Sequence, residues 1–217
     1  MPGTGSVAPA YSNEAPLYDS RTKGFDTYRR RIVDRLPLRR GDVVLDIGCG
    51  TGLCFPFLLE RVGPEGVVVG VDAAPEMLEI AAERASAHGW RNVELVESAI
   101  EDAVLPAADH ALFCAVHDIL QSAAALDHVL AHVRRGVAAG GGKWAPPWAF
   151  AVNAGVLALH LPYVRDFAGF DEPWALLADR VPDLVVNEVA MGGGWVAGGS
   201  VMGADAAGDR RNPRPQS

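Results

Sequence analysis

The feature that most limits the possible folds is a repeated alternation of short apolar runs with longer amphipathic segments. The runs VVLDI at 43–47 and VVVGV at 67–71 are rich in β-branched residues, and each precedes a segment with helical periodicity. A run that is apolar at nearly every position is typical of a strand buried on both faces, as in a parallel sheet. The alternation therefore predicts parallel strands connected by helices.

The same pattern continues along the chain. Further strand-like runs lie at Val93–Val96, Ala111–Val116, Leu184–Met191 and Trp195–Val201. Helices are predicted at Asp26–Leu36, Leu53–Val62, Ala74–His88, Ala123–Arg135 and Val152–Leu161, and a poorly marked fifth strand near Lys143-Trp144. The glycines at 192–194 predict a hairpin between the last two runs. Together these elements predict an α/β fold: a doubly wound, mainly parallel, seven-stranded sheet with a C-terminal antiparallel hairpin.

Length and composition predict one folded domain. The chain has 217 residues, of which 49% are hydrophobic, and its formal net charge is −8. We expect a domain at residues 15–202, between a mobile N-terminal tail at 1–14 and a disordered C-terminal tail at 203–217. An acidic chain is a poor candidate for nucleic-acid binding, which depends on neutralising phosphates. Neither monomer nor homodimer is favoured.

The sequence offers no obvious membrane or metal signal. The longest nearly apolar run, Ala149–Leu161, is shorter than the ~20 residues that span a bilayer. The first residues lack the pattern of a signal peptide, so we expect no transmembrane segment and a cytoplasmic protein. The three cysteines form no C-x-x-C pair, which predicts reduced thiols without a metal site.

A glycine-rich turn follows the first predicted strand, in the sequence LDIGCGTG at 45–52. Asp72 ends the next strand, 20 residues after Gly52, a separation that suits a carboxylate binding ribose hydroxyls. The dinucleotide fingerprint would need glycine at position 53, where the chain has Leu53. Asp46 would repel a pyrophosphate but attract a cationic ligand, and S-adenosylmethionine carries an ammonium and a sulfonium. The alternative is a tight turn in which Asp72 only caps the next helix.

With these motifs the sequence resembles the class I S-adenosylmethionine-dependent methyltransferases. LDIGCGTG is similar to the first motif of that family and GVDAAPEML, at 70–78, to its second. The resemblance implies S-adenosyl-L-methionine as cofactor, with Asp46 near the methionine ammonium and Asp72 on the ribose. It further implies contacts from backbone or small side chains at Gly48, Cys49, Gly50 and Cys114, adenine contacts from Ala73, Met77, Ser98 and Ala99, and Tyr18 in a lid.

The acceptor side is less well marked. The fourth strand brings His117 to the carboxyl edge, where it is the candidate general base; a local hydrogen bond is the alternative. We expect the other five histidines to lie away from this edge, His160 being the least settled of them. The apolar segment 152–163 falls where the family places acceptor-recognition elements, with Trp144 and Trp148 as further candidate walls. The alternative is that these side chains only cover the sheet.

The resulting functional hypothesis is methyl transfer to an oxygen or nitrogen of a small, partly apolar acceptor, in specialised metabolism. A non-catalytic S-adenosylmethionine-binding sensor or partner subunit is one alternative, and a phospholipid N-methyltransferase is another. A nicotinamide oxidoreductase is disfavoured by Leu53 and Asp46.

Overall fold

The computed structural model describes residue 19, residues 22–164 and residues 166–201. The two predicted tails and Tyr18 lie outside these residues. Seven strands form one sheet: β1 Val43–Ile47, β2 Val67–Asp72, β3 Val93–Glu97, β4 Ala108–Cys114, β5 Val133–Gly142, β6 Val185–Val189 and β7 Gly194–Ser200.

The sheet has the order β3-β2-β1-β4-β5-β7-β6. Strands β1 to β5 are mutually parallel, whereas β7 is antiparallel to both of its neighbours, β5 and β6. The strand order reverses between β1 and β4, which is where open α/β sheets bind their ligands. The predicted fold class, including the C-terminal hairpin, is confirmed.

Helices cover both faces of this sheet. They are α1 Asp26–Val33, α2 Phe55–Val62, α3 Pro75–Ala87, α4 His117–Leu120, α5 Ala123–Leu130, α6 Phe150–His160 and α7 Ala175–Ala178. Successive residues of β1 point to opposite faces: Val44 packs in the cluster that holds α1, α2 and α3, and Leu45 in the cluster that holds α4, α5 and α7. The continuous apolar run therefore reflects burial on both sides.

The prediction for the fifth strand was wrong. Helix α5 ends at Leu130 rather than Arg135, and β5 occupies Val133–Gly142 instead of beginning near Lys143. Glycine-rich sequences are poor strand formers in isolation, but here the neighbouring helix comes close to the strand. A β carbon on Gly140 would lie 2.7 Å from Ile32 Cδ1 of α1. The small residues of β5 are thus explained by tertiary packing.

Candidate functional site

A cleft of about 980 Å³ lies at the carboxyl edge of the sheet. One end is lined by the glycine-rich turn after β1, and the other by α6 and the residues that follow it. Residues at the carboxyl ends of β4 and β5, among them Cys114, Ala115, Gly141 and Gly142, also line the cleft. The cleft therefore joins the predicted cofactor region to the predicted acceptor region.

The glycines of the turn adopt backbone conformations that other residues rarely take. Gly48, Gly50 and Gly52 have φ of 64°, 54° and 76°. A β carbon on Gly48 would lie 2.5 Å from Val116 Cγ1, whereas one on Gly50 would meet no atom within 4 Å. Gly48 is thus required by packing, and Gly50 leaves open space at the cleft wall.

Asp46 is the buried carboxyl group of the site. It is 1% exposed, lines the cleft, and its Oδ2 has no hydrogen-bond partner among the described residues. Burial raises the pKa of Asp46 to about 8, the charge of Asp72 adds to this increase, and Arg29 opposes it. A group that brings a positive charge or an N–H to Oδ2 would satisfy this carboxylate.

Asp72 holds the turn in place. Its Oδ2 accepts a hydrogen bond from the Gly50 N–H at 2.8 Å, and its Oδ1 accepts one from the Ala74 N–H at 2.9 Å. Burial raises the pKa of Asp72, and the backbone hydrogen bonds oppose that rise. In this structure Asp72 shapes the turn and the start of α3, and it is not among the residues that line the cleft.

A second network supports the same turn. Asp19 accepts a hydrogen bond from Thr51 Oγ1 at 2.7 Å and forms an ion pair with Arg84. The Arg84 Nε–H also donates to the Thr51 carbonyl at 2.8 Å. No local sequence pattern indicates this network, because its three residues are distant in the sequence and come together only in the fold.

The remaining cofactor candidates divide into two groups. Cys49 and Cys114 line the cleft. Ala73, Met77, Ser98 and Ala99 follow β2 or β3 and do not line it. Met77 is 2% exposed and packs with Ala74. The cleft as it stands therefore reaches the predicted methionine end of the site and not the predicted adenine contacts.

The acceptor end of the cleft is largely apolar. Its wall is formed by α6 and the residues after it: Val152, Gly155, Val156, Leu159, His160, Tyr163, Val164, Asp166 and Ala168. Trp144 and Trp148 are not part of the lining, so their prediction as walls was wrong. Trp144 instead stacks on Phe167, with ring centroids 5.2 Å apart, and Trp148 is 77% exposed.

Two histidines line this end of the cleft. His117, at the start of α4, is where the sequence predicted it, and its Nε2 lies 3.0 Å from the Ala168 carbonyl oxygen. His160, at the end of α6, was expected away from this edge, and that expectation was wrong. The pattern failed to place His160 because β5 ends next to it, and that strand was predicted in the wrong position.

Two absences were found in the described part of the chain. No group of three or more His, Cys, Asp or Glu side chains there could hold a metal ion. No helix in the same residues combines the length and apolarity required to cross a membrane.

Comparison with known proteins agrees with this geometry. A family described as a methyltransferase domain matches residues 44–141. A Streptomyces aklanonic acid methyltransferase is 36% identical over 115 residues, which are 52% of this chain and 52% of the relative. A Saccharothrix syringae nocamycin O-methyltransferase is 38% identical over 82 residues, 37% of this chain and 29% of the relative. The chain spans about half, or less, of the length of these curated relatives.

The fold is also found among solved structures. A S-adenosylmethionine-dependent methyltransferase from Aquifex aeolicus has a TM-score of 0.65 at 20% identity, covering 88% of this chain and 98% of that one. Strand order, glycine-rich turn and sequence match agree with one another. The family match over residues 44–141, the similar curated methyltransferases and the shared fold support a class I S-adenosylmethionine-dependent methyltransferase.

Proposed function

We propose that this chain transfers a methyl group from S-adenosylmethionine to an oxygen or nitrogen of a small, partly apolar acceptor. The observation that carries the proposal is the buried Asp46 carboxyl with its unpartnered Oδ2, at one end of a cleft whose other end is apolar. A cationic ligand satisfies this carboxylate, and a phosphorylated one does not.

The residues fit the cofactor at the methionine end. Asp46 would bind the ammonium group, and the backbone at Gly48 and Gly50 would leave room for the adjoining chain. Asp72 would accept hydrogen bonds from the ribose hydroxyls while it holds the turn. The bound cofactor supplies an activated methyl carbon, and the protein aligns the acceptor and excludes water.

Cys49 and Cys114 would pack against the cofactor. For the adenine we retain Ala73, Met77, Ser98 and Ala99 as candidates, since they follow β2 and β3 at the same edge of the sheet. Tyr18 stays a prediction, as a lid residue; the described residue next to it, Asp19, is bonded to the glycine-rich turn.

Two observations support a small acceptor in specialised metabolism. The acceptor wall contains Val152, Val156, Leu159 and Val164, which suit a partly apolar molecule. Two of the relatives are named for aklanonic acid and for nocamycin O-methylation, respectively. The open acceptor end of the cleft favours an enzyme over a sensor that only binds S-adenosylmethionine.

His117 stays a prediction as the general base. Its Nε2–H donates to the Ala168 carbonyl, and its Nδ1 is buried without a partner among the described residues. Burial lowers the pKa of His117, so the ring is neutral near pH 7. To act as a base, the ring would have to expose one of these nitrogens to the acceptor.

Calorimetry with S-adenosylmethionine, S-adenosylhomocysteine and NAD tests the cofactor assignment. We expect the first two to bind and NAD not to bind. Asp72→Ala should weaken S-adenosylmethionine binding at least tenfold, about 1.4 kcal/mol. Asp127→Ala is the control, because Asp127 is an exposed residue of α5 that forms an ion pair with Arg180. Binding of NAD alone, or full affinity in Asp72→Ala, would contradict the assignment.

Transfer is then tested with labelled methyl groups and acceptors of three kinds: phenols, amines and phosphatidylethanolamine vesicles. Transfer to a phenol or amine supports the proposal. Transfer to vesicles alone would favour the phospholipid alternative, and tight binding without any transfer would favour the sensor.

A further inference from the structure

The two histidines at the acceptor end differ in which ring nitrogens are free. Both line the cleft, and the Phe170 ring lies against both, with centroid distances of 4.9 Å to His117 and 5.3 Å to His160. A general base needs an unprotonated nitrogen that the acceptor can reach. The hydrogen bonds of each ring decide where that nitrogen is.

His117 keeps its unprotonated nitrogen away from the acceptor. A carbonyl oxygen can only accept, so Nε2, 3.0 Å from the Ala168 oxygen, carries the proton of the neutral ring. The lone pair is then on Nδ1, which is fully buried. In this position His117 offers the acceptor no accessible unprotonated nitrogen.

His160 has the opposite arrangement. Its Nδ1 lies 2.8 Å from the Val156 carbonyl oxygen, so Nδ1 carries the proton. Nε2 therefore holds the lone pair. This nitrogen has no hydrogen-bond partner among the described residues, and it is not one of the buried polar atoms.

Gly142 fixes where this nitrogen lies. A β carbon on Gly142, the last residue of β5, would be 2.2 Å from His160 Nε2. The imidazole thus rests directly on the backbone at the carboxyl end of the strand, which only glycine permits. This is the edge of the sheet at which ligands bind in this class of fold.

The charged and titratable groups around His160 keep it neutral. Burial lowers the pKa of His160, the hydrogen bond to the Val156 carbonyl opposes this change, and the neighbouring His117 adds to it. The acids on this side, Asp118 and Asp166, act on His117. A neutral His160 at pH 7 has its Nε2 lone pair available.

We propose that His160 is the catalytic base and that the acceptor is an acidic hydroxyl compound, such as a phenol or an enol. This inference rests on the proposed function. The hydroxyl gives its proton to His160 Nε2 as its oxygen bonds to the transferred methyl carbon. The pair of the breaking carbon–sulfur bond stays on sulfur, which becomes a neutral thioether, and the positive charge ends on the imidazolium.

The acceptor class follows from proton affinity. An imidazole base assists a phenol, whose pKa is near 10, far better than it assists a much less acidic alkanol. The acceptor wall formed by α6 and the residues after it has no Lys or Arg among its described residues; the arginines that line the cleft, Arg29 and Arg31, lie on α1.

Nitrogen NMR of ¹⁵N-histidine-labelled protein tests the geometry without activity. We expect His160 as the Nδ1–H form and His117 as the Nε2–H form, both neutral at pH 7. Gly142→Ala should displace the His160 ring and change its signals. Gly141→Ala is the matched control, because its β carbon would meet no atom nearer than 3.7 Å. An Nε2–H form of His160 would overturn the proposal.

Rates with phenols of graded acidity test the chemistry. His160→Gln should lower kcat at least 100-fold with phenol and much less with 4-nitrophenol, which is already ionised near neutral pH. S-adenosylmethionine affinity should change less than threefold. A large decrease in kcat with His117→Gln but not with His160→Gln would overturn the proposal in favour of His117.

Cofactor binding and acceptor choice distinguish failure of the proposed function from failure of the role of His160. A protein that does not bind S-adenosylmethionine refutes the proposed function. A protein that binds it but methylates amines and no phenol refutes only the acceptor class and the role of His160.

Discussion

At the scale of single residues, Asp46 is the clearest sign that the site is built for a ligand. A carboxyl that is 1% exposed, with one oxygen lacking a partner, destabilises the ligand-free fold. Its neighbour Asp72 makes the charged form still less favourable. Such a cost is typical of functional sites, where the missing partner is the ligand.

The pH dependence of stability tests this reading of Asp46. Its pKa is about 8 in the folded protein and near 3.9 in an unfolded chain, so between these values the folded state binds more protons. Stability from this group is therefore present at low pH and lost as pH rises to 8. We expect Asp46→Asn, without ligand, to raise the Tm at pH 8 by at least about 4 °C and to have less effect at pH 5.

Thermal denaturation of the two proteins across this pH range provides the measurement. Asp127→Asn is the control at an exposed position. An Asp46→Asn variant that is equally destabilised at pH 5 and pH 8 would show that the carboxyl is charged and satisfied in the folded protein.

The glycines of the turn give a matched pair of substitutions. Gly50 and Gly89 have φ of 54° and 68°, and a β carbon on either would meet no atom within 4 Å. Alanine should therefore cost about 1–2 kcal/mol of backbone strain at both positions. Only Gly50 lines the cleft. Calorimetry should show at least tenfold weaker S-adenosylmethionine binding in Gly50→Ala alone; equal affinities would place the cofactor elsewhere.

At the scale of elements, α6 and the loop before it form the acceptor wall. The Asn153 amide holds this loop: Oδ1 accepts from the Ala145 N–H at 2.8 Å, and Nδ2–H donates to the Ala145 carbonyl at 3.1 Å. The Asn153 side chain thus provides hydrogen-bond partners that the backbone of the segment after β5 would otherwise lack.

Hydrogen exchange can measure this clamp. We expect Asn153→Ala to speed exchange of the Ala145 amide about tenfold, the equivalent of about 1.4 kcal/mol, because its acceptor is lost. S-adenosylmethionine affinity should not change. Asn187→Ala, on β6, is the control for loss of an amide elsewhere. Unchanged protection of Ala145 would show that the loop is held by other contacts.

Elements whose signals are local were predictable. The structures of β1, β2 and the glycine-rich turn are indicated by consecutive residues. The places of Asp46 and Asp72 near the ends of the two strands could therefore be predicted. Strand β5 does not, because its glycines are set by the approach of α1. Because β5 was predicted in the wrong position, Gly142 could not be recognised as the neighbour of His160. Its role depends on Gly142, 18 positions earlier in the sequence, and no local pattern connects the two.

At the scale of the whole molecule, the sheet separates two chemical tasks along one cleft. In the proposed function, Asp46 of β1 would present its carboxyl to the cationic cofactor, and α6 would present apolar side chains and an imidazole to the acceptor. Among the described residues with side chains, three have positive φ: Ala115, Ala190 and Met191. Two of these, Ala115 and Ala190, line the cleft. Backbone strain of this kind often accompanies functional sites.

Proton release on S-adenosylmethionine binding tests the central claim most directly. A carboxyl with a pKa of about 8 is about nine-tenths protonated at pH 7, and binding a cation would ionise it. The measurement is calorimetry at pH 7 in buffers of different ionisation enthalpy. The unmodified protein should release most of one proton when it binds S-adenosylmethionine, and Asp46→Asn should release little. Asp46→Asn should also bind S-adenosylmethionine at least tenfold more weakly. Equal affinity and equal proton release in the two proteins would contradict the account.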